Sequence, residues 1–196
     1  MDVVIKELSP ELLNDYLYFF ENVAHTDNKE WDRCYCLNYC SDDQSKIKGY
    51  TEFDADDRRK YAVEYVKSGI IKGYLAYING QVAGWCNVND KKDCHKCFGN
   101  FFIYGNTKIA EDDSRILSLF CFTVAPDFRG KHIATMLLNR VIDDAKKRGY
   151  DYIEGYPEKG EVDQYYNYCG PEKLYKNAGF TLWGSTEKRN IMRKKL

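Results

Sequence analysis

The run Asp127-Phe128-Arg129-Gly130-Lys131-His132 puts two cations, a histidine and a glycine immediately ahead of a helical pattern that starts at Ile133. A helix N-terminus already carries partial positive charge, so cations there are unfavourable unless an anion offsets them. Free helix amides, a glycine that permits close approach, and adjacent Arg and Lys together make a cradle for a phosphate or pyrophosphate. A solvated basic turn, with the glycine serving only as a bend, is the competing reading of the same residues. Neither G-x-x-x-x-G-K-[ST] nor a G-x-G-x-x-G after a strand occurs, which argues against P-loop and Rossmann cradles.

Thiols form a second candidate centre. Cys34-x-Cys36-x-x-x-Cys40 and Cys94-His95-x-Cys97 could together supply four soft ligands for a structural zinc ion. C-x-C is not a typical finger spacing, and free thiols in aromatic packing are the preferred reading, so no metal is expected. His25, His95 and His132 are the chain's three histidines, too few for a His-rich site. Cys121 or Cys169 would need an activating base to act as a nucleophile. Aromatic residues crowd 31–39 and 98–104, and with Trp85 they offer an acceptor-pocket wall or ordinary core.

The elements that must position these groups follow from periodicity. Val3 to Leu8 reads as a strand, Ser9-Pro10 as the start of a helix through Phe20, and Phe53 to Lys67 as a helix ended by Gly69. Two apolar runs, Ile70 to Ile78 and Gln81 to Val88, flank Asn79-Gly80, a type I′ hairpin turn. A short strand is placed around Phe98 to Tyr104. Arg115 to Val124 is almost continuously apolar, as a strand buried on both faces would be, and Pro126 stops it. Ile133 to Arg148 repeats helically, with Lys146-Lys147-Arg148 and Gly149 suiting its C-terminus. A strand at Tyr150 to Tyr156, a helix near Pro171 to Asn177 and a strand pair from Phe180 complete an α/β domain over residues 1–196.

The chain has 196 residues, 29 Lys plus Arg against 30 Asp plus Glu, and a net charge of -1. No clustered positive surface for nucleic acid is implied. No apolar run approaches the roughly 18 residues needed to span a bilayer. The start Met1-Asp2-Val3-Val4-Ile5-Lys6-Glu7 has no secretory pattern, so a cytoplasmic protein with reduced thiols is expected. Nothing in the pattern excludes a homodimer.

Val124-Ala125-Pro126-Asp127-Phe128-Arg129-Gly130-Lys131-His132-Ile133-Ala134 resembles motif A of the GNAT family of N-acetyltransferases, [RQ]-x-x-G-x-[GA] after a buried strand. Leu174-Tyr175-Lys176-Asn177-Ala178-Gly179-Phe180 resembles its motif B, Y-x-x-x-G-F. The resemblance implies a mixed central sheet flanked by helices and acetyl-CoA as donor. It implies that the pyrophosphate sits on amides of Arg129, Gly130, Lys131, His132, Ile133, Ala134 and Thr135. It also implies that the pantetheine arm lies along Phe122, Thr123 and Val124 like an added strand, whose amides polarise the thioester. Tyr175 falls at the family's usual acid position, with packing under the arm as its other role. This sequence departs from the family at His132, where a glycine is usual, and at Tyr168, where many members carry asparagine. The His132 side chain is expected to point outward from a helical backbone.

The expected function is therefore direct acetyl transfer from acetyl-CoA to a primary amine of a small molecule or peptide. No general base is assigned: Glu154, on a strand face with Tyr152 and Tyr156, reads as a solvated glutamate. Two other classes compete, a non-catalytic acyl-CoA-binding or sensing domain and a zinc-stabilised interaction module.

Overall fold

A computed structural model describes residues 2–40, 55–94, 103–105, 107, 113–163 and 166–196. The strands are β1 (Val3–Glu7), β2 (Gly73–Ile78), β3 (Gln81–Asp90), β4 (Ile116–Val124), β5 (Tyr152–Gly155), β6 (Thr181–Ser185) and β7 (Asn190–Lys195). They form one sheet in the order β1-β2-β3-β4-β5-β7-β6. Every neighbouring pair is antiparallel except β4 and β5. The helices are α1 (Leu13–Tyr18), α2 (Ala55–Ser68), α3 (Ile133–Lys147) and α4 (Glu172–Asn177).

Local chemistry accounts for the boundaries. Asn79 and Gly80 have φ of 48° and 84°, the two left-handed residues that close the β2–β3 hairpin. Pro10 starts a three-ten turn, Pro10–Leu12, which leads into α1 and then a π-helical turn at Phe19–Val23, so the expected helix is present but changes pitch twice. Gly69, at φ 73°, follows α2. Ile103 and Tyr104 are helical, not extended, and the rest of the strand expected around Phe98 to Tyr104 lies outside the described residues.

β4, buried along nearly its whole length, is the axis of the molecule. Its register with β3 shifts between Asn87 and Val88: Asn87 faces Cys121, Val88 faces Leu119, and Phe120 is the extra residue of a bulge. Phe120 and Cys121 consequently pack on one side of the sheet, in clusters with Tyr156 and with Tyr16 and Trp85 respectively, while Leu119 and Phe122 pack under α3 on the other. The chain runs from β4 through α3 to the parallel β5, the crossover that parallel strands require. Pairing of β4 with β5 ends at Leu119 and Gly155, yet β4 continues to Val124. The two strands part there, and the end of β4 has an edge without a neighbouring strand.

Candidate active site

The turn after β4 uses two left-handed residues in succession of three, Gly130 at φ 74° and His132 at φ 61°, to swing the chain into α3. His132 is the N-cap residue of α3 with a left-handed backbone, not the helical one expected, so the glycine usual at that position answers a backbone requirement. The first intrahelical bond runs from Met136 N to His132 O at 3.0 Å, so the amides of Ile133, Ala134 and Thr135 have no carbonyl one turn back. The first turn of α3 contains neither a side-chain cap nor an acidic residue.

Those amides open onto a groove of about 370 Å³ between α3 and α4. Its walls include Val124, Arg129, Gly130, His132, Ile133, Ala134 and Thr135 on one side and Lys173, Leu174 and Asn177 on the other. Seven of the ten residues assigned to the cradle from the sequence thus share one groove. The other three do not line it. Thr123 is buried on the opposite face, its Oγ1 3.5 Å from Cys121 Sγ. Lys131 Nζ donates to Asp127 O at 2.8 Å and lies over the Phe128 ring. Phe122 is buried under α3, beside Tyr175.

The segment around Tyr168, noted in the sequence only as a departure from the family's asparagine, covers the free edge of β4. Phe122 N donates to Tyr168 O at 2.6 Å, and Cys169 Sγ donates to Phe120 O at 3.2 Å. The Tyr175 hydroxyl donates to Cys169 O at 2.5 Å. Tyr168-Cys169-Gly170 therefore occupies, with its own backbone, both the strand edge and the tyrosine hydroxyl. Tyr175 is fully buried, and burial pushes its hydroxyl well above the ordinary tyrosine range, so it holds its proton at neutral pH. Its ring lies flush against Gly155, where an added Cβ would sit 2.0 Å from Tyr175 Cε1. Gly155 has no positive φ to explain it; the close approach of the tyrosine does.

Arg129 is tied at both ends of its guanidinium. Nε donates to Val124 O at 3.3 Å, and the terminal nitrogens pair with the Asp27 carboxylate. The anion that offsets this cation is thus internal, from a residue 102 positions away that no local spacing signals. Lys173 and Asn177 were not singled out from the sequence; their four-residue spacing on one helical face of the motif around Tyr175 is the signal that could have found them.

Glu154, expected in solvent, is fully buried. Its oxygens accept from Lys91 Nζ at 2.8 Å, Arg193 Nε at 2.8 Å and the Tyr156 hydroxyl at 2.9 Å. Tyr156 in turn bonds Ser118 Oγ at 2.6 Å and receives the Tyr104 hydroxyl at 3.0 Å. Trp85 is fully buried in the core, edge-on to Tyr16 at 5.0 Å. Among the described residues no group of three His, Cys, Asp or Glu side chains is placed to hold a metal ion, and His95 and Cys97 lie outside them. No helix of the described residues is long and apolar enough to cross a membrane.

A family model described as Acetyltransferase (GNAT) family matches residues 5–160. No curated protein sequence matches the chain. Among solved structures, the chain is similar to an acetyltransferase of the GNAT family from Streptococcus pneumoniae, with a TM-score of 0.56 and 17% identity over 100% of this chain and 99% of that one. PaiA N-acetyltransferase from Thermoplasma acidophilum, solved in complex with coenzyme A, gives a TM-score of 0.56 at 18% identity, covering 100% of both chains. The ribosomal-protein-S18-alanine N-acetyltransferase from Escherichia coli gives 0.52 at 16% identity over 99% of this chain and 94% of that one.

Proposed function

The chain belongs to the GNAT acetyltransferase family and is an acyltransferase that uses acetyl-CoA; from that premise we propose that it moves the acetyl group directly to a primary amine of a small molecule or peptide. The observation that carries this reading is the meeting in one groove of the helix amides of Ile133, Ala134 and Thr135, which have no carbonyl one turn back, with Lys173 and with Val124 at the end of β4.

In this reading the groove takes the pyrophosphate on the amides from Gly130 to Thr135, where the helix dipole and Lys173 favour an anion; the Arg129 amide, expected among them, instead donates to Pro126 O at 3.3 Å. The cradle fits the group: a Cβ at Gly130 would meet nothing within 4 Å, so the turn stands open to an approaching ligand. The pantetheine arm pairs with the edge of β4 in place of Tyr168-Cys169-Gly170. Displacing that strap frees two groups together, the Phe122 N–H to polarise the thioester carbonyl and the Tyr175 hydroxyl to protonate the leaving thiolate. The amine attacks the carbonyl carbon, the carbon–sulfur bond breaks, the sulfur takes the phenolic proton, and the amine's excess proton passes through water back to the phenolate, so that no net proton is gained or lost. The domain acts as a single unit over residues 1–196, in the cytoplasm.

Acetyl-CoA at a hundred times its dissociation constant should stabilise the fold by about 2.7 kcal/mol. For a chain of this size that is a rise in Tm of roughly 5–10 °C. A screen of amines for release of free CoA then names the acceptor. An unchanged Tm at saturating acetyl-CoA would overturn the binding step, and binding without CoA release to any amine would leave a sensing domain.

A further inference from the structure

Catalysis as described leaves one pair of groups unused. Cys34 Sγ lies 3.5 Å from His25 Nε2. The other described cysteines are all buried, whereas Cys34 is half-buried. His25 is only 6% exposed, and its Nδ1 is a buried nitrogen with no hydrogen-bond partner. Such an orphan calls for an explanation, and a polar group of a ligand meeting the ring supplies one.

The backbone around the thiol is held, not relaxed. Arg33, Tyr35 and Cys36 have φ of 52°, 50° and 50°, three non-glycine residues in the left-handed region on either side of Cys34. Tyr16 donates its hydroxyl to Tyr35 O, and Arg58 Nε donates to Arg33 O at 3.0 Å, so neighbouring elements maintain this conformation. The polar and titratable neighbours of the thiol are the Cys36 thiol, His25, Tyr16 and Tyr168. A hydrogen bond from Cys36, opposed by burial and reinforced by His25, holds the Cys34 thiol well below the ordinary cysteine range.

The pair also adjoins the reaction centre. The Tyr168 ring lies 5.7 Å from the His25 ring, and the same residue's carbonyl caps Phe122 N. Cys36 contacts Cys34 on one side and Cys121 of β4 on the other. Tyr168 thus touches both the edge of β4 and the histidine of the pair.

We propose that Cys34, paired with His25, is a nucleophile that takes acyl groups from thioesters, a covalent acylation site beside the amine-acetylating centre. The Cys34 sulfur attacks the thioester carbonyl, its proton passing to His25 Nε2. The donor's carbon–sulfur bond breaks, and its sulfur leaves with that proton, so one thioester is exchanged for another with no further reactant. Only the identity of the natural donor rests on the acetyl-CoA reading.

The test uses the full chain without any amine, exposed separately to acetyl-CoA and to S-acetyl-N-acetylcysteamine, a thioester with no nucleotide. Peptide mass spectrometry should find one acetyl group on Cys34 from both donors, none at that position in Cys34→Ser, and roughly 10²-fold slower labelling in His25→Gln. Iodoacetamide should alkylate Cys34 at pH values well below the usual thiol pKa of about 8.5, and His25→Gln should move that profile upward, which loss of packing alone would not do. Labelling by the small thioester but not by acetyl-CoA supports the nucleophile and sinks the cradle. Labelling by neither donor in protein that melts normally, or equal labelling in His25→Gln, overturns the proposal.

Discussion

Under α3 the sheet presents Leu117, Leu119, Phe122, Ile153 and Met192, an apolar surface on which side chains only pack. Its opposite face carries Ser118, Glu154, Tyr156, Cys121 and Trp85, where buried hydroxyls, charges and thiols meet aromatic rings. The difference is chemical as well as geometric. On the α3 face, the open polar groups are chiefly backbone where the elements end, the amides of α3 and the left-handed turn before it, with the Tyr175 hydroxyl as the buried exception. On the other face, polar contact falls to side chains, each needing a partner because an unpaired buried charge is expensive. Backbone sites suit a ligand common to many proteins of one fold, whereas side-chain sites suit what is particular to one chain.

If that contrast is right, the most severe single change lies on the side-chain face. Glu154→Ala leaves Lys91 and Arg193, both with little exposure, facing an emptied site. Removing one partner of a buried ionic group typically costs 3–5 kcal/mol, roughly 10 °C or more in Tm here. Denaturant melts read it directly. A loss under about 1 kcal/mol would mean that the network is loosely solvated and that the two faces differ less than the geometry implies.

Next in size is Tyr175→Phe, which acts on turnover. The variant should bind acetyl-CoA as the wild type does and lose roughly 10²-fold in kcat, equivalent to about 2.7 kcal/mol of barrier. Loss of the bond to Cys169 O should cost about 1 kcal/mol of stability at most. Unchanged kcat, with chemistry shown to be the slow step, would reduce the tyrosine to a packing residue under α3. Gly155→Ala probes the same contact from the strand side. A Cβ placed 2.0 Å from Tyr175 Cε1 must displace backbone or ring. We expect a loss of about 1–3 kcal/mol in stability together with lower kcat, since the ring carries the hydroxyl away from the β4 edge. Wild-type kcat in a destabilised Gly155→Ala protein would separate the packing from the chemistry.

The same division decides what could be read in advance. The unit from Arg115 to Lys147 was legible because each of its signals is local: an apolar run, a proline that ends it, a glycine turn, and apolar residues every three or four positions. The α3 wall of the groove lies on residues the sequence had grouped, whereas its α4 wall, Lys173, Leu174 and Asn177, was not read in advance. Glu154 was misread because its partners Arg193 and Lys91 lie 39 and 63 positions away, beyond any periodicity. The stretch from Trp31 to Tyr50 has no clean period, and in its described part left-handed residues at 33, 35 and 36 break every repeat, two of them held by long-range bonds from Arg58 to Arg33 O and from Tyr16 to Tyr35 O. The strap at Tyr168 was visible only as a departure from a motif, since its role depends on β4 and β5 parting nearby.

The smallest expected effect comes from the residue that breaks the backbone rule on the α3 face. His132 adopts φ 61° and ψ 19° at the N-cap of α3, a conformation that costs an L-residue roughly 1–2 kcal/mol relative to the right-handed region. Glycine removes that cost but loses about 0.5–1 kcal/mol through its freer unfolded state. His132→Gly should therefore stabilise the protein by about 0.5–1 kcal/mol. His132→Ala, which keeps the strain and removes only the imidazole, should give no gain. For the ligand, the two variants separate differently. If the cradle is made of backbone, both should bind acetyl-CoA at least as tightly as the wild type, because the amides of Ile133 to Thr135 are untouched and a side chain on the groove wall is gone. Calorimetry on the three proteins decides it. Weaker binding in both variants would show that the imidazole itself holds the anion, and the α3 face would then share the side-chain logic of the other. Tighter binding in the glycine variant alone would locate the cost of His132 in the strained turn.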